Sequence, residues 1–88
     1  MKKEVMFFHA YWCKSCPKMA QVFGEVAKEM KSENMKFTDV DCESDWGVDM
    51  SSKYQVRNVP TILVIEKNRV IKRIAGTRTS NELKEELK

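Results

Sequence analysis

Trp12-Cys13-Lys14-Ser15-Cys16 decides how the rest of this sequence is read. Two cysteines with two residues between them can close a small disulfide ring, and in a chain that alternates strands and helices this spacing marks a redox pair. A short apolar run, Val5-Met6-Phe7-Phe8, leads into it through His9-Ala10-Tyr11. An unbroken run of that kind suits a central strand covered on both faces, since such strands do not alternate. After Cys16, the apolar residues Met19, Val22, Phe23, Val26, Ala27 and Met30 recur at three- and four-residue spacing, which predicts a helix of about four turns. Pro17 fits the first turn of that helix, where its missing N–H would have had no intrahelical partner. The helix therefore starts shortly before Pro17. That puts Cys13 at or near its N-terminus, where unpaired N–H groups and the macrodipole favour a thiolate.

Downstream, the pattern continues as strand and helix in turn. Ser32 to Asn34 reads as a turn and Lys36 to Asp41 as a second strand, with Phe37 and Asp39 on one face and Thr38 and Val40 on the other. Strand, helix, strand predicts a right-handed parallel unit. Cys42 to Asp49 is acidic and reads as irregular, followed by a short helix over roughly Val48 to Tyr54. Asn58-Val59-Pro60-Thr61 then interrupts the chain before Ile62-Leu63-Val64-Ile65, a β-branched run expected to be a buried strand. Lys67-Asn68 reads as a hairpin turn, and Val70, Lys72 and Ile74 alternate with Ile71 and Arg73 on the returning strand, which Gly76 ends. Thr79-Ser80-Asn81-Glu82 has capping-box spacing, and Leu83 and Leu87 stripe a last short helix.

Composition narrows the class of function. Eighty-eight residues suffice for one α/β domain over 1–88 and not for a second core. The net charge of +3 comes from sixteen basic residues interleaved with thirteen acidic ones, without a basic block, so no nucleic-acid surface is expected. The apolar stretch at Val5 to Phe8 is too short for a signal-peptide core, and no run is long enough to cross a bilayer. The expected setting is a cytoplasmic, reducing one, in which a CxxC pair is catalytic rather than a structural staple.

Taken together, WCKSC after an apolar strand, YQVRNVPT before the hairpin strands, and Gly76 sixteen residues after Pro60 resemble the thioredoxin family across nearly the whole chain. The resemblance implies a thioredoxin fold, a minimal β-α-β-α-β-β-α core with a four-stranded mixed sheet. With only four residues before Val5, the fold is expected to be trimmed to glutaredoxin size. It further implies a thiol-disulfide oxidoreductase that reduces protein disulfides. Cys13 is then the attacking thiolate, Cys16 the resolving thiol, and the Cys13-Cys16 disulfide the redox centre, with no bound cofactor. Pro60 is expected to be cis beside the disulfide, Val59 to pair its backbone with the client chain, and Trp12 and Gly76 to line the same groove. Expected partners are disulfide-containing client proteins and a thioredoxin reductase as electron donor, with the chain acting as a monomer in electron transport and cell redox homeostasis.

Two departures from the family stand behind the site. The buried Asp that thioredoxins carry six residues before the first Cys is Phe7 here, and the Lys that commonly partners it is Phe37. Removing both members orphans neither, so stability need not suffer, but the proton of Cys16 must leave by water or another group. The Gly-Pro usual between the cysteines is Lys14-Ser15, and the stretch from Asp41 to Pro60 is longer than is common in the family.

Other readings remain open at this point. The single histidine, His9, is an aromatic packed near the active-site helix or a proton shuttle; Lys14 and Lys18 either assist the thiolate or solvate a helix face. Cys42 is a small side chain packed at a strand end or a regulatory thiol. Trp46 and Tyr54 read as packing or rim residues. A glutathione-linked, glutaredoxin-like oxidoreductase is the alternative enzyme, although a single glycine stands where a paired glycine motif would hold glutathione. A metal or iron-sulfur module is the third class, disfavoured because one CxxC pair with a lone Cys and a lone His falls short of the usual four ligands.

Overall fold

In the computed structural model, which describes residues 2–31 and 34–88, the apolar run grows into β1 (Lys3–His9), an inner strand of a four-stranded sheet. The other elements are α1 (Cys16–Met30), β2 (Met35–Asp41), α2 (Asp45–Tyr54), β3 (Thr61–Glu66), β4 (Arg69–Ala75) and α3 (Ser80–Leu87). The sheet order is β2-β1-β3-β4. β1 pairs with β2 in parallel and with β3 antiparallel, and β3 and β4 form an antiparallel hairpin. This is the expected β-α-β-α-β-β-α order with a mixed sheet. The turn expected over Ser32 to Asn34 falls mostly outside the described residues.

β1 is inner because Val5, Met6, Phe7 and Phe8 are all buried, two on each face. Val5 and Phe7 join Ile62, Val64 and Ile74 beneath the α1 residues Met19, Phe23, Val26 and Met30 and the α3 residues Leu83 and Leu87. Met6 and Phe8 join Val40, Leu63 and Ile65 under α2, which contributes Tyr54. The alternation read in β2 holds, with Phe37 packed towards the first cluster and Val40 in the second.

Two expectations need correction. The irregular acidic stretch is shorter than read, because α2 starts at Asp45 rather than near Val48. Ser44 caps it, its hydroxyl accepting the Gly47 N–H at 2.9 Å, and Asp45 lies in the first turn, where a negative charge suits the helix dipole. Trp46 and Val48 are exposed there, so the apolar spacing that marks a helix was missing from this part of the sequence. The second correction concerns β4, whose side chains do not alternate throughout. Val64 pairs with Lys72 but Ile65 pairs with Val70, so Ile71 is an extra residue, a β-bulge. Bulging reverses the parity, which sends Val70 to the α2 face while Ile74 stays on the α1 face.

The punctuation read from the sequence is otherwise present. Lys67 and Asn68 both have positive φ, 53° and 65°, as a tight hairpin turn requires. Thr79 and Glu82 form a reciprocal capping box at α3.

Candidate active site

β1 delivers the chain to the site, and α1 takes it away. Past His9 the backbone turns, Cys13 donating its N–H to the Ala10 carbonyl at 3.1 Å and Cys16 to the Cys13 carbonyl at 3.3 Å. Cys13 and Cys16 are joined as a disulfide with their Cα atoms 5.4 Å apart. Both are nearly enclosed, 7% and 4% exposed, whereas Tyr11 and Trp12 beside them stand 87% and 60% exposed. The sulfurs therefore sit in a rim of aromatic surface.

The N-terminus of α1 lacks the usual compensations. Ser15 at the N-cap has a helical backbone, its side chain caps nothing, and no acidic residue lies in the first turn. Its hydroxyl instead lies 3.8 Å from the Cys13 sulfur. The positive end of the dipole is thus left to whatever charge the cysteines carry. Pro17 occupies the first turn, as its missing N–H allows.

Pro60 and Gly76 reach this end of the sheet by strand register. Phe8 pairs with Thr61, and Thr61 with Ala75, so Val59-Pro60 and Gly76 lie at the same end of the sheet as the chain leading to the cysteines. The Val59-Pro60 bond is cis, and Pro60 is buried. Gly76 donates its N–H to the Pro60 carbonyl at 3.0 Å. Gly76 has φ +85°, and a Cβ added there would meet no atom within 4 Å, so backbone conformation rather than space calls for glycine.

Several neighbours escaped the sequence reading. The Trp12 indole N–H donates to Glu43 Oε1 at 2.8 Å, and Glu43 in turn donates its backbone N–H to Asp41 Oδ1 at 2.9 Å. Nothing in the pattern around Glu43 pointed to an indole thirty-one residues away. Gly47 was also passed over. A Cβ there would lie 1.8 Å from the Asp41 carbonyl oxygen, so the turn between β2 and α2 closes only over a glycine.

His9 packs as an aromatic, stacked on Phe7 with ring centroids 5.2 Å apart, and its Nε2 meets Asp39 Oδ2 at 2.8 Å. Phe23 touches both Phe7 (5.2 Å) and Phe37 (5.6 Å), so an aromatic row joins the two positions at which the sequence departs from the pattern expected of it. Thr61 is the only buried polar side chain among the described residues. Cys42 sits half-buried just past the end of β2, packed against the α2-face core, and its sulfur accepts the Ser51 hydroxyl at 3.6 Å. Tyr54 is a core residue and Trp46 an exposed one. Among the described residues no three His, Cys, Asp or Glu side chains converge as metal ligands would.

The Thioredoxin family model matches residues 1–88. A thioredoxin from Mycoplasmoides gallisepticum is 34% identical over 87 residues, covering 99% of this chain and 83% of that protein. A bifunctional thioredoxin reductase/thioredoxin from Mycobacterium leprae is 29% identical over 77 residues, 88% of this chain but 16% of the larger protein. Several further relatives are also longer proteins, of which the chain spans 34% or less. Among solved structures, thioredoxin-2 of a malaria parasite superposes with a TM-score of 0.85 at 21% identity, over 98% of this chain and 81% of that one, a likeness of fold. With the family match running from end to end over a sheet that carries an adjacent cysteine pair at the close of its inner strand, the chain belongs to the thioredoxin family of thiol-disulfide oxidoreductases.

Proposed function

We propose that the protein is a reductant of protein disulfides, with Cys13 attacking and Cys16 resolving. The observation that carries this reading is the position of the Cys13-Cys16 disulfide at a helix N-terminus that has neither a side-chain cap nor an acidic first turn. There, the helix dipole favours a thiolate. In the reduced protein, the Cys13 thiolate attacks one sulfur of a client disulfide, forming a mixed disulfide and expelling a client thiolate. The Cys16 thiolate then attacks the Cys13 sulfur, closing the disulfide and releasing the second client thiolate. Two electrons pass from the dithiol to the client, and proximity makes the second step intramolecular. Since the described residues hold no buried carboxylate, water at the rim takes the Cys16 proton.

Trp12, Val59, Pro60 and Gly76 form the client groove in this reading. The exposed face of Trp12 and the backbone of Val59 are its contact surfaces. The dithiol is restored by a thioredoxin reductase, a partnership supported by the mycobacterial relative in which both activities share one chain. We place the work in the cytoplasm, in electron transport and redox homeostasis, because a reductant must be kept reduced. We take the protein to act as a monomer.

The test follows reduction of a disulfide-bonded reporter protein with NADPH and thioredoxin reductase, and separately with glutathione. Turnover with the reductase is expected, along with its loss in Cys13→Ser and a trapped mixed disulfide at Cys13 in Cys16→Ser. Recycling by glutathione alone, or absence of a trapped species, would overturn the reading.

A further inference from the structure

Beside the Pro60–Gly76 contact lies a cavity of about 230 Å³ lined by Arg57, Asn58, Thr61, Arg73 and Ala75 among others. Two guanidinium groups line it, and neither forms an ion pair among the described residues. Arg73 is held in place by backbone carbonyls instead, bonding those of Tyr54 and Gln55 at the end of α2. Arg57 is exposed on the loop that leads into Val59-Pro60. The guanidinium fork of Arg57, which has no such carbonyl partners among the described residues, suits a planar carboxylate, gripped through parallel N–H donors, and Arg73 adds a second positive charge beside it. The volume is below the range of small-molecule pockets, which starts at about 300 Å³, and suits a side chain.

Across the site the charge reverses. Asp41 ends β2, with Glu43 and Asp45 just past it, while the arginine cavity flanks β3 and β4, and the sheet order puts these on opposite sides of β1, whose end leads to the cysteines. A client with a negative side chain beside its reactive cysteine would be drawn to one side and repelled from the other. Such asymmetry sets orientation and encounter rate more than affinity.

We infer that the Arg57–Arg73 cavity receives an Asp or Glu side chain of the client, so that disulfides flanked by an acidic residue are reduced in preference to those flanked by neutral or basic ones. This rests on the disulfide-reductase reading. The experiment measures kcat/KM for three disulfide peptides that differ only in carrying Glu, Gln or Lys next to one cysteine. The unsubstituted protein should prefer the Glu peptide. Arg57 is exposed and makes no hydrogen bond or ion pair among the described residues, so Arg57→Glu should fold, and it should lower the Glu-to-Gln ratio by about fivefold, the scale of an exposed charge pair. The same variant should favour the Lys peptide, and Arg57→Lys should keep much of the preference for Glu. Adding salt should erode the preference in the unsubstituted protein. Equal rates on the three peptides, or a ratio that Arg57→Glu does not move, would overturn the inference. Inorganic phosphate serves as the other probe: if it protects Arg57 from phenylglyoxal while the peptides show no charge preference, the cavity holds free anions and the client reading falls. Failure of the reductase reading would show differently, as no turnover of any peptide, and would take this inference with it.

Discussion

Among the described residues, α1 and α3 enclose eleven buried ones on one face of the sheet, while on the other α2 alone covers a cluster of six. The cysteines belong to the thicker face, since α1 begins at Cys16 and its Met19, Phe23, Val26 and Met30 are core. Much of what surrounds them belongs to the thinner one. Val59 packs against the α2-side cluster, and Glu43, the indole partner of Trp12, lies in the segment that leads into α2. The disulfide is therefore mounted on the larger core, and part of the rim around it on the smaller.

Phe7 is the side chain on which the thicker face depends most. This side chain is fully buried on the thicker face, and Phe7→Asp would place a carboxylate there without a partner while leaving a void. A loss of about 3–5 kcal/mol is expected, enough to unfold much of a small domain, against roughly 1 kcal/mol for Phe7→Leu. Denaturant titration of the two variants checks this; similar midpoints would mean that the aromatic row is not what holds this face together.

A smaller loss would sharpen the contrast on the thinner face. Gly47→Ala drives a methyl group into the Asp41 carbonyl, and the backbone between β2 and α2 must shift. We expect a cost of about 1–3 kcal/mol, felt as faster amide exchange in α2 with α1 still protected. Exchange that rises equally in both helices would show that the two faces open as one unit.

The smallest effect concerns α3 and acid. The Thr79 backbone N–H, and then its hydroxyl, hold the Glu82 carboxyl below its ordinary pKa of 4.5, with Arg78 adding to this. A pKa lowered by folding means that the contribution is present above the ordinary value and lost as pH falls through the folded one. Glu82→Gln should therefore melt slightly earlier than the unsubstituted protein at neutral pH, with the gap closing in acid. A gap of constant size from neutral to acid pH would remove the carboxylate from the account.

How much of this was legible in the residues depends on how far apart the interacting groups lie. WCKSC, the helical spacing after it, the Lys67-Asn68 turn and the Thr79–Glu82 box are local, so their chemistry is written within a few positions. The apolar runs of β1 and β3 were readable for the same reason. The start of α2 was also local, at Ser44, yet escaped because Trp46 and Val48 face solvent and hide the helical period. The phenylalanines at 7 and 37 were visible as departures from the family, but the row they complete needs Phe23 from a helix between them.

The redox pair and the order of strands and helices were thus legible in the residues alone, whereas the groove at Trp12, Val59, Pro60 and Gly76 came only with the family resemblance. Tertiary structure alone decided the β-bulge at Ile71, the indole–carboxylate bond from Trp12 to Glu43, and the arginine cavity beside Pro60. Each of these depends on register or contact between segments far apart in the chain. Periodicity records which face a residue prefers, but not which partner it will meet there.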